Sequence, residues 1–154
     1  MIISAGALFK CEKTNRCLFM LRSSTSSYPN RWSLLGGKMH HDERILEGLY
    51  REIQEEIGFL PIIDKWIAFN CFTSNDKKFQ YHSILMLTPK EFIPKLNNEN
   101  DGYAWVTIDN PPKPLHPRLR EVISSTVLID SIKNFHWQKY KNIKSLILLN
   151  ILKG

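Results

Sequence analysis

Glu52, Glu55 and Glu56 stand three and four positions apart in the run Arg51-Glu-Ile-Gln-Glu-Glu56. On a helix this spacing gathers side chains on one face, so three carboxylates would project together. Their mutual repulsion destabilises the helix unless positive charge sits among them. A divalent cation answers that need, and hard oxygen donors favour Mg²⁺, then Mn²⁺, over zinc. Such an ion keeps positions for water and phosphate oxygens, so the chemistry on offer is phosphoryl chemistry. The competing reading is a solvated acidic face balanced by Arg44 and Arg51. The upstream segment favours the cation. Gly36-Gly37 falls where an extended piece should break and the backbone pass close to something, which could add a glycine carbonyl as a ligand. Lys38 follows at once, able to reach a phosphate.

Periodicity predicts the elements that hold these residues. Leu46, Leu49, Tyr50, Ile53 and Ile57 recur at helical spacing and give the acidic segment an apolar face. Asp42 is the expected N-cap and Gly58 the expected C′ residue. Ahead of the helix, Ile2 to Phe9 and Arg16 to Arg22 read as apolar strands joined by a turn at Lys13-Thr-Asn15. Ser23 to Arg31 is a serine-rich loop, and Trp32 to Leu35 is a short extended piece closed by the glycine pair. Two strands, Ile62 to Thr73 and Lys78 to Leu87, flank a turn at Ser74-Asn-Asp76, and another spans Tyr103 to Ile108. Pro111-Pro-Lys-Pro114 is a rigid connector to a second helix over Arg118 to Leu128, and the chain from Ser131 is expected to be helical. Strands mixed with two or three helices predict an α/β sandwich.

The run Gly37-Lys-Met-His-His-Asp-Glu43, continued by Arg51-Glu-Ile-Gln-Glu-Glu-Ile-Gly-Phe59, resembles the Nudix box. That pattern is Gly, five residues, Glu, seven residues, Arg-Glu, an apolar residue, any, Glu-Glu, any, Gly, apolar, and every fixed position is filled. Cys17 to Arg22, Trp32-Ser-Leu-Leu-Gly-Gly-Lys38 and Tyr103-Ala-Trp-Val-Thr-Ile-Asp109 extend the likeness over residues 2 to 128. Leu35 departs from it: the family usually has proline there, and the change is expected to loosen the loop without touching a ligand. The resemblance implies the Nudix fold, a mixed β-sheet between α-helices, and Mg²⁺-dependent cleavage of a diphosphate linked to a nucleoside. It implies Glu52, Glu55 and Glu56 as metal ligands with the Gly36 carbonyl, and Glu52 as a candidate base for the attacking water. Arg51 would pair with Glu43 and orient the carboxylates. Glu99 falls where many members place a further acidic ligand, although Asn97-Asn-Glu-Asn-Asp101 also suits a polar turn.

Arg22, Arg31 and Lys38 are the candidates to hold phosphates. Tyr28, Trp32, Phe79 and Tyr81 could stack on a base, with core packing as the alternative for each. His40 and His41 are expected as solvent-facing loop residues, and His116 as a cap or turn residue that could also reach the cleft. No clear set of polar groups matched to one base edge is visible, and Tyr28 and Trp32 could flank a bulky second group. This favours ADP-ribose or a dinucleoside polyphosphate as substrate, although the proline that marks many ADP-ribose pyrophosphatases is missing after the box. The alternatives are a MutT-like nucleoside triphosphate pyrophosphohydrolase, an RNA 5′-end pyrophosphohydrolase and a non-catalytic nucleotide sensor. Intact box glutamates disfavour the sensor.

With 154 residues, 43% hydrophobic and 23% charged, the chain suits one domain and neither a fibrous nor a disordered protein. The longest apolar run, Ser145 to Leu152, is too short to span a bilayer. The N-terminus lacks a signal-peptide pattern and the three cysteines suit reduced thiols, so a cytoplasmic location is expected. The net charge of +6 suits an anionic partner. A small nucleotide is preferred, with nucleic acid unfavoured. The expected organisation is a Nudix domain over residues 1–135 and a basic amphipathic tail over residues 136–154. That tail, helical in expectation, would pack on the domain, form a homodimer contact or lie on an anionic membrane, in that order.

Overall fold

The computed structural model describes residues 1–135. In chain order the elements are β1 (Ile2–Cys11), β2 (Cys17–Arg22), β3 (Trp32–Ser33), β4 (Leu35–Lys38), α1 (Ile45–Ile57), β5 (Lys65–Thr73), β6 (Phe79–Thr88), β7 (Asn100–Val106), α2 (Pro117–Ile123) and α3 (Thr126–Lys133). β1 and β6 run parallel from the Ile2–Phe79 pair to the Cys11–Thr88 pair. They form the centre of a mixed sheet ordered β3-β2-β1-β6-β5, with β4 paired to β1 and β7 to β2. Side chains alternate across this sheet. Ala5, Ala7, Phe9, Leu18, Met20, Ile84 and Met86 face Leu49, Ile53 and Ile57 of α1. Leu8, Phe19, Leu85 and Leu87 face the other way, toward Leu119, Ile132 and Phe135. Burial on both faces explains why the central strands read as continuous apolar runs. Among the described residues, no helix is long and apolar enough to cross a membrane.

The expected α/β sandwich is present, and its departures from the sequence reading have local causes. The glycine pair does not end a strand but lies inside β4, with Gly36 opposite Gly6 and Gly37 opposite Ala5. Gly36 has φ +150°, and any side chain there would overlap the Ala5 carbonyl. Leu35 does not loosen the loop. It pairs with Ala7 and is buried in the core, so it anchors the entry to β4. The N-cap of α1 is Arg44 rather than Asp42: Arg44 is extended, and its N–H donates to Glu47 Oε2 at 3.1 Å. Gly58 closes the helix as expected, at φ +83° with its N–H on Gln54 O at 2.9 Å.

The single helix expected over Arg118 to Leu128 is two helices. Ser124 Oγ donates to Arg120 O at 2.6 Å, while Ser125 Oγ accepts the Leu128 N–H at 3.4 Å. One serine competes for the last turn and the next caps a new start. Helix α3 ends at Lys133 over a buried cation: Lys10 Nζ donates to Ile132 O at 2.9 Å, Lys133 O at 3.1 Å and Phe135 O at 3.4 Å. The tail expected over residues 136–154 lies outside the described residues.

Candidate active site

Helix α1 packs its Leu49, Ile53 and Ile57 stripe on the sheet and presents Arg51, Glu52, Glu55 and Glu56 along the edge of β4. Arg51 is the hub. Its Nε and NH2 grip Glu43 at 3.1 and 2.6 Å, its NH1 reaches Glu52 Oε1 at 2.8 Å and Glu55 Oε2 at 3.3 Å, and NH2 also donates to Lys38 O at 3.1 Å. Glu43 accepts the His40 N–H at 2.5 Å as well. The Arg51 guanidinium and that backbone N–H hold the Glu43 carboxyl down at about 2. The expected Glu43–Arg51 pairing is therefore present, and it sets the rotamer of the arginine from which Glu52 hangs. Arg44, proposed as a second balancing charge, pairs instead with Glu47 at the exposed start of the helix.

The three glutamates do not share one environment. Glu55 is 56% exposed and reaches only Arg51, whereas the Glu52 side chain is 14% exposed. Glu56 is turned inward, buried, and accepts the Gly36 N–H at 3.2 Å. Burial, with Glu99 and Glu52 close by, pushes the Glu56 carboxyl well above the usual carboxylate range. Burial pushes Glu52 up too, against the pull of Arg51. Gly37 makes room for this: a methyl there would press on the Glu52 carboxylate at 2.6 Å. Glu99 comes to Glu56 because the turn before β7 is tied down, Asn97 Nδ2 donating to Glu55 O at 3.0 Å and Ser23 N–H to Glu99 O at 2.9 Å. The polar turn and the approach to the carboxylates are thus the same feature. Among the described residues, no three acidic, histidine or cysteine side chains close on one point, since Arg51 draws Glu52 and Glu55 to itself. The buried Glu56 has a single backbone N–H against the negative charge it shares with Glu99 and Glu52. An all-oxygen donor set with such an excess of negative charge fits a hard divalent cation.

A cleft of about 550 Å³ runs from Gly36 and Gly37 past Tyr81 and Phe79 to Arg22, Tyr28, His116 and Arg118. Of the expected substrate contacts, Arg22 and Tyr28 line it. Arg22 is braced by Ser27, with Nε on the carbonyl at 2.6 Å and NH2 on the hydroxyl at 2.9 Å. Lys38 lines a neighbouring hollow of about 660 Å³ with Glu43 and Glu52. Arg31 is turned to Leu115 O at 3.4 Å and does not line the cleft. Trp32 is not a cleft residue either: it packs against the core beneath α2 and α3, and its backbone pairs with the segment before α2. That pairing, Trp32 N–H to Pro114 O and His116 N–H to Trp32 O, each 2.8 Å, carries His116 to the cleft rim. His116 both caps α2 and lines the cleft. Arg118, on the first turn of α2, also lines the cleft. Its guanidinium lies 3.6 Å from the Phe72 ring centroid, a contact that no local sequence signal announces.

The cleft begins at Gly36 and Gly37, the stretch of β4 against which Glu52 and Glu56 lie, on a mixed sheet packed between helices. The family described as NUDIX domain matches residues 2–125, and the chain belongs to the Nudix family. Over 89 residues the chain is 33% identical to the nucleoside triphosphatase NudI of Escherichia coli O139:H28, a match spanning 51% of this chain and 63% of that protein. The MutT protein from Methanosarcina mazei Go1 has a similar structure, with a TM-score of 0.64 at 25% identity over 85% of this chain and 91% of that one. The NUDIX domain of Shewanella oneidensis NrtR, solved with ADP ribose, shares the fold with a TM-score of 0.64 at 14% identity, covering 80% of this chain and 84% of that one.

Proposed function

We propose that the protein is a Mg²⁺-dependent pyrophosphohydrolase, Mn²⁺ serving as well, that cleaves a P–O–P bond of nucleoside triphosphates. The observation that carries the substrate class is the position of Trp32. The sequence reading placed ADP-ribose or a dinucleoside polyphosphate first because Tyr28 and Trp32 together could flank a bulky second group. Trp32 is half-buried against the second core and does not line the cleft, so Tyr28 lacks the second ring expected beside it, which suits a single nucleoside. The likeness to NudI supports the same reading.

Glu52, Glu56 and Glu99 would hold the ion, with Glu55 and the Gly36 carbonyl as the remaining ligands proposed from the motif. When bound, the ion polarises phosphoryl oxygens and neutralises charge on the leaving phosphate. Glu52 is the proposed base that takes the proton of the attacking water. Arg51 and Glu43 hold that carboxylate in place. Arg22 and Lys38 bear on the phosphates from the cleft and its neighbouring hollow. The buried thiols of Cys11 and Cys17 are unpaired with each other and suit a reducing, cytoplasmic setting.

The test is a product-resolved assay of nucleoside triphosphates, ADP-ribose and diadenosine triphosphate with Mg²⁺. We expect kcat/KM to favour a triphosphate by about tenfold or more, with release of pyrophosphate and loss of turnover in excess EDTA. A tenfold preference for ADP-ribose or the dinucleotide overturns the substrate class, and full turnover in EDTA overturns the metal.

A further inference from the structure

At the α2 end the cleft is lined by His116, Arg118 and Glu121, and the first two offer hydrogen-bond donors. Arg118 N–H donates to His116 Nδ1 at 3.2 Å. An Nδ1 that accepts leaves the proton of a neutral imidazole on Nε2, so the ring has only an N–H donor to offer. Burial and the surrounding Arg22, Arg118 and Arg31 keep that ring neutral, its pKa pushed down to about 4. Tyr28 stands edge-on to it with ring centroids 4.7 Å apart. Arg118 itself is stacked, its guanidinium 3.6 Å from the Phe72 centroid and 5.7 Å from that of Phe79, with Glu121 Oε2 at 3.6 Å from NH1. Stacking fixes the plane of the fork, and one carboxylate cannot consume its five N–H groups. Glu121 is the carboxylate on this wall, and Arg118 already engages it.

A base that turns an amino group toward this wall sets N–H against N–H and leaves half-buried donors without acceptors. A base that turns an oxo group toward it accepts from the Arg118 fork or from His116 Nε2–H. We infer that the cleft selects nucleotides carrying an oxo group at the purine 6 or pyrimidine 4 position over their amino counterparts, with Arg118 as the specificity-determining residue. The inference rests on the cleft being the nucleotide site proposed above.

The test compares kcat/KM within the matched pairs dITP and dATP, and dUTP and dCTP. Wild-type protein is expected to prefer the oxo member of each pair by about tenfold or more, the scale set by matched polar recognition. Arg118→Met keeps an apolar stem on Phe72 and should bring each pair within about threefold, mainly by lowering the oxo member. Arg118→Lys keeps the charge without the planar fork and should not restore the preference. Equal losses across all four substrates in Arg118→Met, rescued in Arg118→Lys, would make Arg118 a phosphate contact and overturn the inference. Circular dichroism establishes that both variants fold. Metal-free binding of IMP against AMP separates the two readings. An oxo preference in binding with no triphosphate turnover sinks the proposed activity but keeps the inference, whereas turnover of all four triphosphates without preference does the reverse.

Discussion

Glu56 carries its carboxyl inside the domain, with the Gly36 N–H as its bonded donor and Glu99 and Glu52 near it. Its pKa lies well above the usual carboxylate value, so the folded protein binds that proton more readily than the unfolded chain. The resulting stability is present at pH below the ordinary carboxylate pKa and is lost as pH rises through the folded pKa. Thermal melts of metal-free protein are therefore expected to show a falling Tm from pH 5 to pH 8, and Glu56→Gln to flatten that slope. Parallel slopes in the two proteins would refute the assignment. The same variant should lower kcat by roughly 10²–10⁴-fold, the usual scale for losing a positioned charged group. Glu43 behaves in the opposite sense. Its carboxyl is held at about 2, so it stays charged on Arg51 through any assay pH and contributes no acid limb to the rate. Replacing it with glutamine weakens the grip on Arg51 and lets Glu52 wander. We expect kcat to fall about 10–100-fold, the scale for residues that orient ligands, with KM nearly unchanged.

At the scale of elements, β4 brings two adjacent glycines to the same place for different reasons, and the variants should separate them. At Gly36 a side chain would meet the Ala5 backbone of β1 at a left-handed φ, and backbone cannot step aside. Gly36→Ala should therefore cost stability, about 1–3 kcal/mol on the scale of strained φ, read as a lower denaturation midpoint. At Gly37 the obstacle is the tip of Glu52, a side chain that can swing away. Gly37→Ala should keep a near-wild-type melt while losing activity about 10²-fold, because a misplaced reacting group costs that much. If the two variants exchanged phenotypes, the placement of β4 against β1 and α1 would be wrong.

Across the whole molecule, the chain beyond α2 closes the second core on the far side of the sheet from α1. Phe135 is 2% exposed among Leu8, Phe19 and Leu87, and its carbonyl is one of those that receive Lys10. A cut after Ile132 would leave Phe19 and Leu85 without this cover and Lys10 with fewer carbonyl partners. Such a truncation should lose about 2 kcal/mol, from one buried aromatic ring, and about 4–8 °C of Tm. A chain ended after Phe135 should match the full-length protein in kcat, in keeping with the proposed division at residue 135. Equal melting of both truncations would show that Phe135 contributes nothing to the second core.

Helix α1 was legible in the sequence because its determinants are local. A 3.6-residue period places Leu49 and Ile53 on the sheet and the glutamates at its edge, and the box spacing aligns Arg51 with Glu43. The central strands were legible for the same reason, since continuous apolar runs describe burial on both faces wherever the strands pair. Spacing could not assign three cooperating glutamates to unequal environments, because the exposure of Glu55 and the burial of Glu56 depend on β4 and on the turn at Glu99. The same holds for Trp32, whose local setting suits a cleft or a core equally and whose place follows from pairing with Pro114 and His116. Arg118 rests on Phe72 and Lys10 on a carbonyl 125 positions away. Contacts of that reach follow from how the sheet orders its strands, so they were decided by the tertiary structure alone.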